Sequence, residues 1–150
     1  MRPLFLCAFC IIWLNVALAK TTVIDDGGTL PYNASLALRW QQPSPRSPDA
    51  NRMVGTLTLR VRLNVSPWLR RSGRIYLALP AQQPGTLSAR WSTQGRLLAG
   101  QVSAGGRALV YAGPLTTPFI EDTVQLTLDV DGRRMQQAYQ VNFRFEMDEE

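Results

Sequence analysis

Between Leu57 and Val65 every odd position is apolar and every even one polar. Leu57, Leu59, Val61, Leu63 and Val65 alternate with Thr58, Arg60, Arg62 and Asn64. Successive side chains of a strand point to opposite sides, so this period of two predicts a β-strand with one buried and one wet face. The pattern recurs at Leu36, Leu38 and Trp40, at Ile75, Leu77 and Leu79, and at Val124, Leu126, Leu128 and Val130. It recurs again at Tyr139, Val141, Phe143, Phe145 and Met147. Shorter candidates are Thr86 to Trp91, Arg96 to Val102 and Arg107 to Ala112. No stretch carries a convincing helical period.

The runs are separated by Ser66-Pro67, Ser72-Gly73, Gln83-Pro84-Gly85, Gln94-Gly95, Gly105-Gly106 and Gly113-Pro114, residues that set turn geometry. Short strands at such spacing predict an all-β fold, an antiparallel β-sandwich of about seven to eight strands. Asp131-Gly132 between two alternating runs predicts a two-residue hairpin. In that register Leu128 faces Met135 and Val124 faces Tyr139, with a bulge at Gln136 to Ala138 to keep Gln137 out of the interior. Gln41 to Arg52, with three prolines and no period, reads as a surface loop. Lys20 to Pro31 reads as a weakly structured lead-in, and Asp148-Glu149-Glu150 as a solvated acidic tail.

The first residues change the picture of where the chain works. Met1-Arg2-Pro3, the apolar run Leu4 to Leu14 and the small-x-small triplet Ala17-Leu18-Ala19 have the layout of a cleaved secretory signal peptide. That reading assigns residues 1–19 to the signal and 20–150 to a single domain. The apolar run is too short for a comfortable crossing of about 30 Å of hydrocarbon, and no other segment approaches that length. Cys7 and Cys10 leave with the signal, so the remainder holds no disulfide and no thiolate metal site. Small animal secreted domains usually depend on disulfides. Their absence points towards a bacterial envelope, with the protein exported to the periplasm or cell surface.

Chemistry is scarce. The chain has no histidine, which removes the usual general base, the Ser-His and Cys-His nucleophile systems and imidazole ligation. Gly105-Gly106 lacks the Lys-Ser/Thr of a phosphate loop, and no EF-hand spacing occurs. The carboxylate pairs Asp25/Asp26, Glu121/Asp122 and Asp129/Asp131 are better explained by turns and a wet strand face than by acid–base work. The reading is therefore a non-enzyme without catalytic residues, metal or cofactor. A carboxylate-dependent hydrolase is kept only as a remainder. Asn33-Ala34-Ser35 and Asn64-Val65-Ser66 match the N-glycosylation pattern, and Asn64 is discounted as mid-strand.

Sixteen basic residues stand against eleven acidic ones, for a net charge of +5, and Lys20 is the only lysine. This moderate balance favours solubility and weak attraction to anionic surfaces, not nucleic acid. Arg60 and Arg62 share the wet face of the best strand, with Arg70, Arg71 and Arg74 close behind. Together they form a candidate patch for lipopolysaccharide, an acidic glycan or an acidic protein, although a solvated sheet face whose arginines protect an edge explains them more simply. Trp40 and Trp91 fall in phase with buried neighbours. Trp68, after Pro67, is the tryptophan expected to be exposed and the best single contact candidate.

Leu63-Asn64-Val65-Ser66-Pro67-Trp68, then Ser72-Gly73-Arg74-Ile75-Tyr76-Leu77-Ala78, then Trp91 and Gly95, resemble Ig-like domains of exported bacterial surface and pilus-associated proteins. The likeness covers Leu63 to Gly113. The strand Tyr139 to Phe145 is similar to the C-terminal strand of chaperone-usher pilus subunits. The chain departs from that family in lacking its subunit disulfide and in showing no cleanly alternating donor strand in Lys20 to Pro31. The resemblance implies a structural or accessory protein of the envelope or a pilus-like appendage, meeting protein partners through sheet edges. The other reading is a binding module for an anionic or carbohydrate ligand.

Overall fold

The computed structural model describes residues 20–31, 38–41, 51–81, 87–132 and 142–149. Apart from 3-10 turns, of which one spans Ser66–Trp68, all regular structure among them is β. In chain order the strands are β1 (Thr21–Val23), β2 (Leu30–Pro31), β3 (Arg39–Trp40), β4 (Arg52–Asn64), β5 (Ser72–Ala78), β6 (Ser88–Thr93), β7 (Gly100–Ser103), β8 (Arg107–Pro114), β9 (Phe119–Asp131) and β10 (Arg144–Glu149). They form two antiparallel sheets in a sandwich-like arrangement. The smaller runs β1-β10-β5-β8, and the larger runs β2-β4-β9-β6-β7 with β3 also on β4.

The spine is the pair β4–β9. Thirteen residues face thirteen, from Arg52 opposite Asp131 to Asn64 opposite Phe119. The alternation read from the sequence is what aligns them: Leu63 faces Ile120 and Leu57 faces Leu126 on the inner side, and a slip of one residue would turn both apolar sets to water. The inward residues Val61, Leu63, Val124, Leu126, Leu128 and Trp91 join Ile75, Leu77, Val110, Phe145 and Met147 of the smaller sheet in one buried cluster. Each such side chain contributes roughly 1.5–3 kcal/mol on burial. A register shift of β5 against β8 between Ile75 and Tyr76 is the irregularity that lets Val110 and Tyr111 both turn inward.

Each of the eight sequence runs overlaps one of β3 to β10, although Arg96 to Ala99 is loop, and Leu36, Ala37, Thr86 and Tyr139 to Val141 lie outside the described residues. Two further strands arise where a weakly structured lead-in was expected. Thr21–Val23 pairs with Asp148–Glu146 of β10 in the smaller sheet. Ile24 then plunges into the core at 2% exposure, and Leu30–Pro31 pairs with Arg60–Leu59 in the larger sheet. The lead-in thus crosses the open seam of the sandwich from one sheet to the other. A turn makes the crossing: Asp25 accepts the Gly27 N–H at 3.0 Å and the Asp26 carbonyl accepts the Thr29 N–H at 2.7 Å.

The long hairpin pairing expected beyond Asp131-Gly132 finds no free edge on β9. Over Val124 to Asp129 both edges of β9 are occupied, by β4 and β6, and β10 lies in the opposite sheet against β5. The predicted partners Met135 and Tyr139 and the bulge at Gln136 to Ala138 lie outside the described residues, as does most of the Gln41 to Arg52 loop. Trp40 also departs from expectation. It follows the inward phase of its partner Met53 but is 48% exposed. Its ring lies over Gly132, where a Cβ would collide with it. The acidic tail is likewise structured, since Asp148 and Glu149 are the last residues of β10, opposite Arg74 and Gly73.

Candidate functional site

Trp68, expected to be exposed, is buried. The 3-10 turn opens with Pro67 at its first positions, and the Trp68 N–H donates to the Val65 carbonyl at 3.0 Å. This folds the indole back under the sheets, where it is 7% exposed. Its Nε1–H donates to Glu149 Oε1 at 3.0 Å, and Arg71 Nη1 reaches Glu149 Oε2 at 3.2 Å. The tryptophan chosen as exposed is a pin between the turn and β10. An aromatic directly after the proline of a tight turn, three residues beyond a buried strand end, was the available signal.

The arginines do not make one patch. Arg60 and Arg62 stand on the outer face of the larger sheet, Arg74 on the outer face of the smaller one, and Arg70 and Arg71 in the turn between. Arg62 is taken up by Glu121 at 3.0 Å and stacks 3.9 Å from the centre of the Phe119 ring. Arg71 is held by Glu149, and Arg74 sits opposite Asp148. Arg70 has φ 69°, the left-handed region, and is exposed. Two β-sheets separate charges that seem contiguous along the chain.

Glu121 and Asp122 diverge as adjacent strand residues must. Asp122 points inward at 7% exposure, while Glu121 points out to Arg62. Asp122 Oδ1 accepts the N–H of Gln94 at 3.2 Å and of Gly95 at 2.8 Å, and Oδ2 accepts that of Leu97 at 2.8 Å. Asp129 is bound by Arg52 through two hydrogen bonds, and Asp25 caps its own turn. Asn64 Oδ1 accepts from the Ser66 N–H and hydroxyl at 3.2 and 2.6 Å, so that sequon is folded into a local turn. Among the described residues no group of three acidic or cysteine side chains is placed to share a metal ion.

The outer face of the smaller sheet is a ladder of opposite charges. Arg107 on β8 reaches Asp148 with bonds of 3.1 and 2.9 Å and approaches Glu146 at 3.7 Å, while Thr21 of β1 donates to Asp148 at 2.7 Å. The hydrogen bonds from Arg107 and then Thr21 hold the Asp148 carboxyl below its ordinary value of 3.8, against the opposing pull of burial. The stabilisation is complete above that ordinary value and fades as pH falls through the lower folded-state value. Asp148→Asn is therefore expected to unfold at lower temperature than the parent at pH 7. The gap between the two thermal midpoints should close as pH drops below 3.8. A gap that persists unchanged at pH 2 would show that the carboxylate charge is not the cause.

Two surfaces remain. The first is a crevice of about 200 Å³ that opens between the sheets. Ten of its twelve lining residues are apolar, among them Leu59, Val61, Leu77, Val124, Phe143 and Phe145, with Asp26 and Thr29 the polar pair. It lies beside the seam that β1 and β2 bridge with three and two residues. Sequence reading missed it because a void is set by how far two sheets are bridged, which alternation does not encode. The second surface is the hydroxyl- and amide-rich outer face of the larger sheet, with a depression at Ser88, Arg90 and Gln101.

Fold and surfaces together define an all-β protein of two packed antiparallel sheets. Among the described residues no helix is long and apolar enough to cross a membrane. Compared with protein-family models, with curated proteins and with solved structures, the chain gives no match.

Proposed function

We propose that the protein is a non-enzymatic structural or accessory component of the bacterial envelope or of a pilus-like surface appendage. In this reading it is exported by the signal peptide at residues 1–19, and residues 20–150 form an Ig-like domain. It acts by receiving an extended segment of a partner protein along the open seam of the sandwich.

The observation that carries the reading is the apolar crevice beside strands too short to close it. An extended chain puts every second side chain on one face, so alternating apolar residues can enter such a gap while the backbone adds to a sheet edge. The edge it would join is that of β10. There the lead-in already covers Phe145 to Glu149, from the Ile24 N–H on the Phe145 carbonyl at 2.8 Å to the Glu149 N–H on the Lys20 carbonyl at 3.5 Å, so an incoming segment would displace the three-residue β1.

The test uses residues 20–150 and a synthetic peptide of about ten residues alternating valine and threonine, against a scrambled peptide of the same composition. The alternating peptide is expected to raise the thermal midpoint by about 5 °C, the scale of a 1 kcal/mol gain in a domain of this size. It should also move with the protein on size exclusion. No rise with the alternating peptide, or an equal rise with the scrambled one, would sink the reading.

A further inference from the structure

The outer face of the larger sheet carries a second, independent feature. Outward residues line up across its strands in rows fixed by the register. One row runs Thr56, Thr127, Arg90 and Gln101, and the next runs Arg39, Val54, Asp129, Ser88 and Ser103. Where the short side chains of Ser88, Ser103 and Thr127 meet the longer ones of Arg90, Gln101 and Gln41, the face is hollowed into a depression of about 230 Å³.

Its chemistry is specific. Asp129 is oriented by paired hydrogen bonds from Arg52, which neutralise its charge and leave lone pairs for further donors. Among the described residues that line the hollow, Arg90 is the one guanidinium, and no carboxylate stands at ion-pair distance from it. Ser88, Ser103, Thr127 and Gln101 supply both donors and acceptors without any charge. Among the described residues no aromatic ring lines the hollow, and Val54, Ala89 and Val102 are its apolar components. Stacking of nucleobases and burial of acyl chains are therefore not what it offers. A guanidinium beside a fixed carboxylate and a ring of hydroxyls and amides matches a compact polyol bearing one carboxylate.

We propose that this depression binds an acidic sugar of the uronate type, with Arg90 taking the sugar carboxylate and Asp129, Ser88 and Gln101 taking its ring hydroxyls. The site is centred on Arg90 and is defined by neighbours in space, not by neighbours in sequence. The site stands on the face away from the crevice and does not depend on the partner-strand reading.

The experiment titrates residues 20–150 with sodium glucuronate, with glucose and with sodium acetate, following backbone amide resonances at fixed ionic strength. Glucuronate is expected to shift the amides of Ser88, Arg90, Gln101 and Thr127 saturably. Glucose should bind at least about ten-fold more weakly, the scale of a lost charge-assisted hydrogen bond, and acetate should not saturate. Arg90→Ala, exposed and thus expected to fold, should lose about ten-fold in affinity, whereas Arg74→Ala on the opposite sheet should lose none. The proposal is overturned if glucuronate gives no saturable shift, if acetate matches it, or if Arg90→Ala and Arg74→Ala behave alike.

Discussion

Replacing Asp122 with alanine is expected to lower the unfolding free energy by about 3 kcal/mol, because a buried carboxylate here organises a whole loop. Its two oxygens accept three backbone N–H groups, from Gln94, Gly95 and Leu97, in the connection between β6 and β7. Hydrogen bonds to an ionised acceptor contribute roughly 1.5–3 kcal/mol each, and donors left unpaired in a buried place add a desolvation cost. The loop in turn delivers Leu97 into the core at 4% exposure. It also delivers the Leu98 carbonyl to the Trp91 Nε1–H at 2.9 Å and the Leu97 carbonyl to the Thr93 hydroxyl at 2.6 Å. Gly95 is part of the same device, since a Cβ there would stand 3.0 Å from the Asp122 carboxylate.

Asp122→Asn should fall about midway between parent and alanine variant. One oxygen survives to serve two donors, but the new amide hydrogens face the remaining N–H. Urea unfolding reads the loss as a lower midpoint at constant slope, and amide exchange at Gln94, Gly95 and Leu97 should quicken. A loss below about 1 kcal/mol for the alanine variant would mean that water replaces the carboxylate freely.

What the sequence disclosed was local and periodic. Val124 to Val130 and Ile75 to Leu79 have the predicted buried faces, because a period of two is a property of the strand alone. Which strand lies beside which was less legible. Asp131-Gly132 has the chemistry of a tight hairpin, yet β9 is already paired along both edges and the chain passes to the other sheet. Of the connections from β4 to β10, only that between β6 and β7 stays within one sheet. Such crossings separate residues adjacent in sequence, so Arg62 and Arg74 looked like one patch and belong to opposite faces. The same crossings bring distant residues together. Trp68 meets Glu149, and Ser88 meets Asp129 and Ser103, through contacts that no spacing rule reveals. Lys20 to Pro31 was opaque for a different reason: each of its strands is too short to show a period, and Ile24 is the only buried apolar anchor among its described side chains.

Deleting Asp148, Glu149 and Glu150 should cost about 3 kcal/mol, although a terminal run of three acids has the composition of a solvated tail. Asp148 joins three strands, accepting from Thr21 of β1 and Arg107 of β8 while paired with Arg74 of β5. Glu149 satisfies the indole N–H of buried Trp68, and stranding that donor accounts for roughly 1–3 kcal/mol by itself. The ion pairs add little, since Arg107 is 42% and Arg71 65% exposed at the side chain and water screens them.

Point variants separate these parts. Glu149→Gln keeps an acceptor for Trp68 and gives up only the Arg71 pair, so it should lose less than about 1 kcal/mol. Glu149→Ala should lose more, with the emission of Trp68 shifting to longer wavelength as the turn loosens. The shortened chain should also release β1, whose backbone partners are Glu146, Met147 and Asp148, making residues 21–23 open to protease. A shortened chain that melts with the parent and resists protease equally would return Asp148 and Glu149 to solvent. It would leave Trp68 buried with no account of its donor.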